Sequence, residues 1–243
     1  SSIESIIYAS APMSPTRLRE ALELFGPVMM QCYCQTECIH LTMMRKEEHR
    51  LDRPQRLASC GRPPAGVHMV LLDEEGEAVQ PGEIGEVCIR SEAVMRGYWN
   101  RPEQTAETLA GGWLHTGDLA YQDEEGFYYL VDRAKDMIIS GGFNVYPKEV
   151  EDVLTAHPGV AMAAVIGVPD EKWGEKVVAV VVPRTGEEPQ AGALIDLVKE
   201  KKGAIQAPKQ VDFVQSLPQT ALGKTDKKAL RQKYWGDAER MVN

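Results

Sequence analysis

From Gly61 to Val131 the chain runs as short apolar stretches of strand period, separated by turns rich in glycine, proline and acid. Val67-His68-Met69-Val70-Leu71-Leu72 leads into Asp73-Glu74-Glu75-Gly76-Glu77. Gly85-Glu86-Val87-Cys88-Ile89-Arg90 follows Gln80-Pro81-Gly82-Glu83, and Gly126-Phe127-Tyr128-Tyr129-Leu130-Val131 follows Asp123-Glu124-Glu125. Strands this short and this densely punctuated predict antiparallel pairing in a small barrel-like subdomain or sheet. Its acidic turns read as solvated loops.

The flanking segments obey other rules. Ile3 to Tyr8 is strand-like, and Ala9 to Met13 is a small-residue turn. Ser14 then offers an N-cap with Pro15 at the first helical position, Leu18, Ala21, Leu22 and Phe25 follow at helical spacing, and Gly26 is the stop. Val28 to Tyr33 is a second apolar strand. Strand, helix, strand is the repeat of a parallel α/β layer, and too few strands are present to complete one. After Asp132-Arg133, Pro147 opens a helix with Val150, Val153 and Leu154 on one face. Strands at 161–168 and 176–182, a helix at about 192–202 and a strand at 210–214 complete a compact α+β unit. The boundary falls near Lys135, so the predicted organisation is a partial parallel α/β layer (1–60), the barrel-like subdomain (61–133) and an α+β domain (134–243).

Composition excludes several function classes. The chain has 243 residues, 43% of them hydrophobic and 26% charged, enough to bury a core. A net charge of -9 argues against nucleic-acid binding, which needs clustered Lys and Arg. No apolar run approaches the roughly 20 residues of a membrane span, and no signal-like segment opens the chain. Five cysteines without framework spacing suit a reducing compartment, and the cytoplasm is the expected location. Cys32, Cys34 and Cys38 lie close to His40, which invites a zinc reading. Because the first two stand at period two in an apolar strand, small buried thiols explain them better.

Four segments carry possible chemistry. Gln31-Cys32-Tyr33-Cys34-Gln35-Thr36-Glu37 ends a buried strand in a hydroxyl and a carboxylate. That ending either caps a helix or stands where open α/β sheets bind ligands. In Gly112-Trp113-Leu114-His115-Thr116-Gly117-Asp118-Leu119 a carboxylate follows a glycine turn; it suits a ribose diol, although Thr-Gly-Asp is also ordinary turn chemistry. Val131 to Pro147 places Arg133, Lys135 and Asp136 ahead of Gly141-Gly142, which is either a linker with a hairpin or a place where a ligand approaches the backbone. Leu217 to Asp226 sets Lys224 on a glycine-containing turn and is no Walker A loop, because the preceding glycine is missing.

In this order the segments resemble one family, the adenylate-forming synthetases that include acyl-CoA synthetases, firefly-type luciferases and peptide-synthetase adenylation domains. Met95-Arg96-Gly97-Tyr98-Trp99-Asn100-Arg101-Pro102-Glu103-Gln104-Thr105, His157-Pro158-Gly159-Val160, Gly167-Val168-Pro169-Asp170 and Trp173-Gly174-Glu175 extend the likeness over essentially the whole chain. The resemblance implies ATP, Mg²⁺ and CoA as cosubstrates and a small carboxylic acid as substrate. It further implies that Tyr33 stacks on adenine, with Ala9, Ser10 and Ala11 flanking the nucleotide, Thr36 contacting phosphate and Glu37 binding Mg²⁺. Asp118 would hold the ribose hydroxyls beside Arg133, and Lys224 would bridge the substrate carboxylate and α-phosphate. Lys135 matches the family's hinge, about which a C-terminal lid turns to present Gly141-Gly142 to pantetheine.

Two departures stand out. Cys34 replaces the usual glycine, and the family's Gly-x-Pro-Lys phosphate loop is not among these residues. The resemblance therefore implies that the loop and much of the acyl pocket precede Ser1, and that the chain alone is nearly inactive. Two rival readings remain: transfer to a carrier-protein thiol, or a non-catalytic module that binds a nucleotide or a partner; Lys199, Lys201, Lys202 and Lys209 could meet the phosphates of free CoA, although a solvated helix face is their simpler reading.

Overall fold

A computed structural model describes residues 2–10, 13–221 and 223–235. Its contacts divide the chain into two units, Ser1–Ala134 and Lys135–Asn243.

In the first unit, β1 (Ile6–Ala9), α1 (Pro15–Phe25) and β2 (Met29–Gln35) form the parallel crossover expected, with Ile6 opposite Met29. The helix starts where Ser14 Oγ accepts the Arg17 N–H at 3.4 Å and stops at Gly26, whose positive φ lets its N–H reach the Leu22 carbonyl. Leu18 and Leu22 bury their side chains with Met29 and Leu57. The next strand, β3 (Cys38–Met44), turns back antiparallel against β2. Its His40 and Thr42 interrupt the apolar pattern, which hides it from periodicity. Thr36 and Glu37 form the turn of this hairpin, with Gln35 paired to Cys38.

The region of punctuated strands forms an open sheet rather than a closed barrel. Strands β4 (His68–Leu72), β5 (Gly85–Arg90), β6 (Leu114–Gln122) and β7 (Tyr128–Arg133) pair antiparallel in that order, and α2 (Pro102–Thr108) lies in the β5–β6 connection. The two sheets of the unit share one core, in which Tyr33, Cys38 and Leu41 pack with Val87, Ile89, Leu114, Ala120 and Tyr128. Gly61 stitches them together through bridges on either side, Met43 to Arg62 and Gly61 to Tyr128.

The second unit begins with a hairpin, β8 (Ile138–Ser140) and β9 (Phe143–Val145), followed by α3 (Pro147–Thr155), β10 (Val160–Asp170), β11 (Gly174–Pro183), α4 (Ala191–Lys202), β12 (Gln210–Phe213) and α5 (Lys227–Trp235). Strand β11 is central, antiparallel to β10 and β8 and parallel to β12. Both faces of β10 and β11 are covered, which is why they read as unbroken apolar runs. Val165, Val177, Ala179 and Val181 pack under α3 and α4, while Ala164, Ile166, Val178 and Val180 pack against Leu230 of α5 and against Leu217 in the segment before it. Helix α5 escapes the periodicity reading because Leu230 is its one fully apolar anchor in a basic stretch. No helix among the described residues is long and apolar enough to cross a membrane.

Candidate functional site

Asp118 is a buried carboxylate of the first unit. The β5–β6 ladder shifts register here: Glu86 pairs with Leu119 and Cys88 with His115, so two steps on β5 are met by four on β6. The surplus loops out at Thr116–Gly117, where Gly117 takes φ +68°. Glu86 Oε1 accepts the Gly117 N–H at 2.9 Å, and Thr116 Oγ1 donates to the Val87 carbonyl at 2.8 Å. Thus Asp118 lies on a bulged strand, not after a free turn.

The residue is 7% exposed, and its carboxylate meets donors from two other strands. Tyr33 O–H donates to Oδ2 at 2.6 Å and Gln35 Nε2 donates to the same oxygen at 2.8 Å. Arg133, the cross-strand partner of Asp118 on β7, places Nε 3.2 Å from Oδ1. Gln35 Nε2 also reaches the Thr116 carbonyl at 3.0 Å, so one amide ties the bulge to β2. Burial, reinforced by the Asp118 charge, pushes the Tyr33 phenol well above its ordinary range, which keeps it a donor. Such an arrangement aims a negative charge through a rigid shell at polar hydrogens, the chemistry a diol presents.

Glu37 sits at the tip of the β2–β3 hairpin. Its Oε1 accepts the Tyr98 O–H at 2.6 Å, and its carbonyl accepts the Met95 N–H at 2.8 Å. Thr36 beside it is exposed. One carboxylate at an open turn fits a hard cation that keeps water and phosphate oxygens as its other ligands, as Mg²⁺ does. Ala9 ends β1 opposite Cys32, and Ser10 is exposed with φ +68°, a strained value for a side chain other than glycine. Ala11 lies outside the described residues.

The remaining candidates belong to the second unit. Lys135 lies in the 3-10 turn Ala134–Asp136. Gly141 and Gly142 form the β8–β9 turn with φ of +60° and +81°, as a tight hairpin requires. A Cβ on Gly141 would come within 3.0 Å of the Trp173 ring, and the Gly141 N–H bonds the Trp173 carbonyl at 2.7 Å. Lys224 is exposed on a turn closed by Thr220, whose N–H reaches the Lys224 carbonyl at 2.8 Å.

Thus the structure joins Tyr33, Asp118 and Arg133 and places Glu37 against Tyr98. Sequence reasoning missed Gln35 and Glu86 as holders of the Asp118 bulge. The signal for Gln35 was its period-two spacing from Tyr33, which on a strand gives both the same face. Cys32 and Cys34 are only partly buried, Cys38 is buried, and all five cysteines are free thiols.

Comparison with known proteins addresses the family. Residues 1–99 match the family model for AMP-binding enzymes, and residues 149–224 match that for the AMP-binding enzyme C-terminal domain. The chain is 50% identical over 250 aligned positions to a medium/long-chain-fatty-acid–CoA ligase of Mycobacterium tuberculosis, covering 100% of this chain and 43% of that protein. It is 38% identical to a fatty acid–[acyl-carrier-protein] ligase of Streptomyces coeruleorubidus, covering 99% of this chain and 46% of the relative. Among solved structures, an amide bond synthetase of Marinactinospora thermotolerans superposes with a TM-score of 0.90 at 41% identity, covering 96% of this chain and 47% of the other. The chain therefore spans less than half the length of the relatives it matches. With its ordered motifs, both family models and the fold in agreement, the chain belongs to the adenylate-forming acyl-CoA synthetase superfamily of AMP-binding enzymes.

Proposed function

We propose that the whole protein is an ATP-dependent acid–thiol ligase, activating a fatty or aryl carboxylic acid as its adenylate and passing the acyl group to CoA. The observation that carries this reading is the Asp118 cradle, a buried carboxylate held by Tyr33, Gln35 and Arg133. Asp118 accepts hydrogen bonds from the ribose hydroxyls, with Arg133 beside it. Only 8% of Tyr33 is exposed, so its contact with adenine is the margin of one ring, and its hydroxyl does the larger task of orienting Asp118. Ala9, Ser10 and Ala11 flank the nucleotide, and Thr36 contacts phosphate. Glu37 would hold Mg²⁺, which when bound offsets the negative charge of the phosphates.

In the first half-reaction the substrate carboxylate attacks the α-phosphorus and pyrophosphate leaves. Lys224 lies between the two anions and stabilises the charge they share. In the second, the CoA sulfur attacks the acyl carbonyl and AMP leaves. The second unit is the lid, Lys135 is the hinge that lets it serve both steps, and the Gly141-Gly142 turn admits the pantetheine arm. The phosphate-gripping loop is not among the 243 residues, so the chain alone should bind AMP without exchanging pyrophosphate.

The full-length protein with a panel of carboxylic acids should exchange labelled pyrophosphate into ATP; exchange with none of them would end the ligase reading. Lys224→Ala should depress that exchange far more than thioester formation from supplied acyl-adenylate, and equal losses would contradict its role. The likeness to a carrier-protein ligase supports a second reading in which the acceptor is a carrier-bound thiol. Lys201 and Lys202 on α4 are engaged by Glu200 and Glu149, which favours a solvated face over a CoA phosphate site. Competition between CoA and a carrier protein for one acyl-adenylate decides between them.

A further inference from the structure

We propose that Glu86, Cys88 and His115 form a binding site for one divalent transition-metal ion, zinc by preference, on the first unit's open sheet. Nothing in the ligase reading requires this ion. The ladder creates the site, because Cys88 and His115 are direct partners across β5 and β6 and Glu86 stands two residues before Cys88, on the same face of β5. The ligand atoms of all three lie within 4.8 Å of one another.

The separations match a tetrahedral corner. Zinc bonds of about 2.3 Å to sulfur and 2.0 Å to nitrogen or oxygen imply ligand spacings of about 3.5 Å from sulfur and 3.3 Å between the others. Cys88 Sγ is 3.5 Å from His115 Nδ1 and 3.9 Å from Glu86 Oε2, and Nδ1 and Oε2 are 2.8 Å apart. Shifts of about half an ångström would seat the ion. Without an ion, hydrogen bonds among the three side chains account for these contacts, and the same three atoms converge where an ion would sit.

The donors also select the ion. A thiolate, an imidazole and one carboxylate oxygen favour zinc or cobalt over magnesium or calcium. Glu86 Oε1 is already committed to the Gly117 N–H, leaving Oε2 as a single oriented ligand. The Glu86 and His115 side chains are 28% and 31% exposed, so an ion can arrive and water can fill the fourth position. On binding, the Cys88 thiol releases its proton to solvent, and His115 binds through Nδ1 with its proton on Nε2. The ion's two positive charges are balanced by thiolate and carboxylate. Because Glu86 also pins the Gly117 bulge, occupancy would stiffen the segment that carries Asp118.

The test uses the full chain stripped of metal by chelation and titrated with Co²⁺. We expect one equivalent to bind with a thiolate-to-cobalt charge-transfer band and tetrahedral visible bands, both bleached by one equivalent of Zn²⁺. Cys88→Ser should abolish the charge-transfer band and weaken Zn²⁺, measured against a competing chelator, by about a hundredfold or more, beyond what outer-shell changes cost. Glu86→Gln should keep that band and weaken Zn²⁺ at least about tenfold. The double variant Cys32→Ser, Cys34→Ser should match the parent. No charge-transfer band, a band that survives Cys88→Ser, or one lost only with Cys32 and Cys34 would overturn the proposal. If Cys88→Ser fails to fold, unchanged Zn²⁺ affinity in folded Glu86→Gln and His115→Gln overturns it equally.

Discussion

Replacing Tyr33 by Phe removes one oxygen and leaves the ring in its core, so the loss isolates the hydrogen bond to Asp118. The bond is short, 2.6 Å, and its acceptor is a carboxylate whose side chain is 10% exposed, so water cannot readily take its place. A hydrogen bond to a charged group contributes about 1.5–3 kcal/mol. Gln35 remains on the same oxygen at 2.8 Å, while Arg133 is half exposed and its pairing is screened. A loss of about 2 kcal/mol in the stability of the first unit is expected. Native-state hydrogen exchange separates this unit from the second, and amides of β2 and β6 that open with the unit should exchange about 30-fold faster. AMP binding should weaken in parallel, because the carboxylate loses a fixed orientation. A change below about twofold in exchange would mean that Tyr33 does not hold Asp118.

Gly61→Ala should unfold the first unit or cost more than about 3 kcal/mol, since φ is +92° and the new Cβ would meet the Met43 carbonyl oxygen at 2.2 Å. Gly76→Ala, at φ +82° with open space around it, should cost only about 1 kcal/mol in the same thermal melt. Burial holds the pKa of His49 below 6.5; Nδ1 faces the Arg45 carbonyl and must donate, so Nε2 accepts the Tyr8 hydroxyl. As pH falls, the unfolded chain takes up that proton first. Its contribution is therefore intact above about 6.5 and declines below, by at most about 1.4 kcal/mol per pH unit. Melts from pH 7 to 5 should show this slope in the parent and lose it in His49→Gln. Gly141→Ala, strained at φ +60° and pressed on Trp173, should slow thioester formation more than pyrophosphate exchange; equal slowing in separate half-reaction assays would refute the assigned turn.

Much of the backbone was legible because it is set within a few residues. Ser14, Pro15 and Gly26 mark α1, Pro147 marks α3, the Asp-Glu-Glu-Gly turns separate strands, and β10 and β11 announce their double burial as unbroken apolar runs. The site motifs could be located for the same reason, as short strings in order. Partnership could not. Tyr33 and Asp118 are 85 positions apart, and only the packing of two sheets over one core sets a phenol against that carboxylate. Likewise His115 is 27 positions from Cys88, and the β5–β6 register brings it beside Cys88 and Glu86. Caps and turns answer to local sterics and nearby hydrogen bonds, whereas register and sheet-to-sheet packing follow from burying apolar surface across the whole chain, so a side chain's distant partner is decided by the tertiary fold.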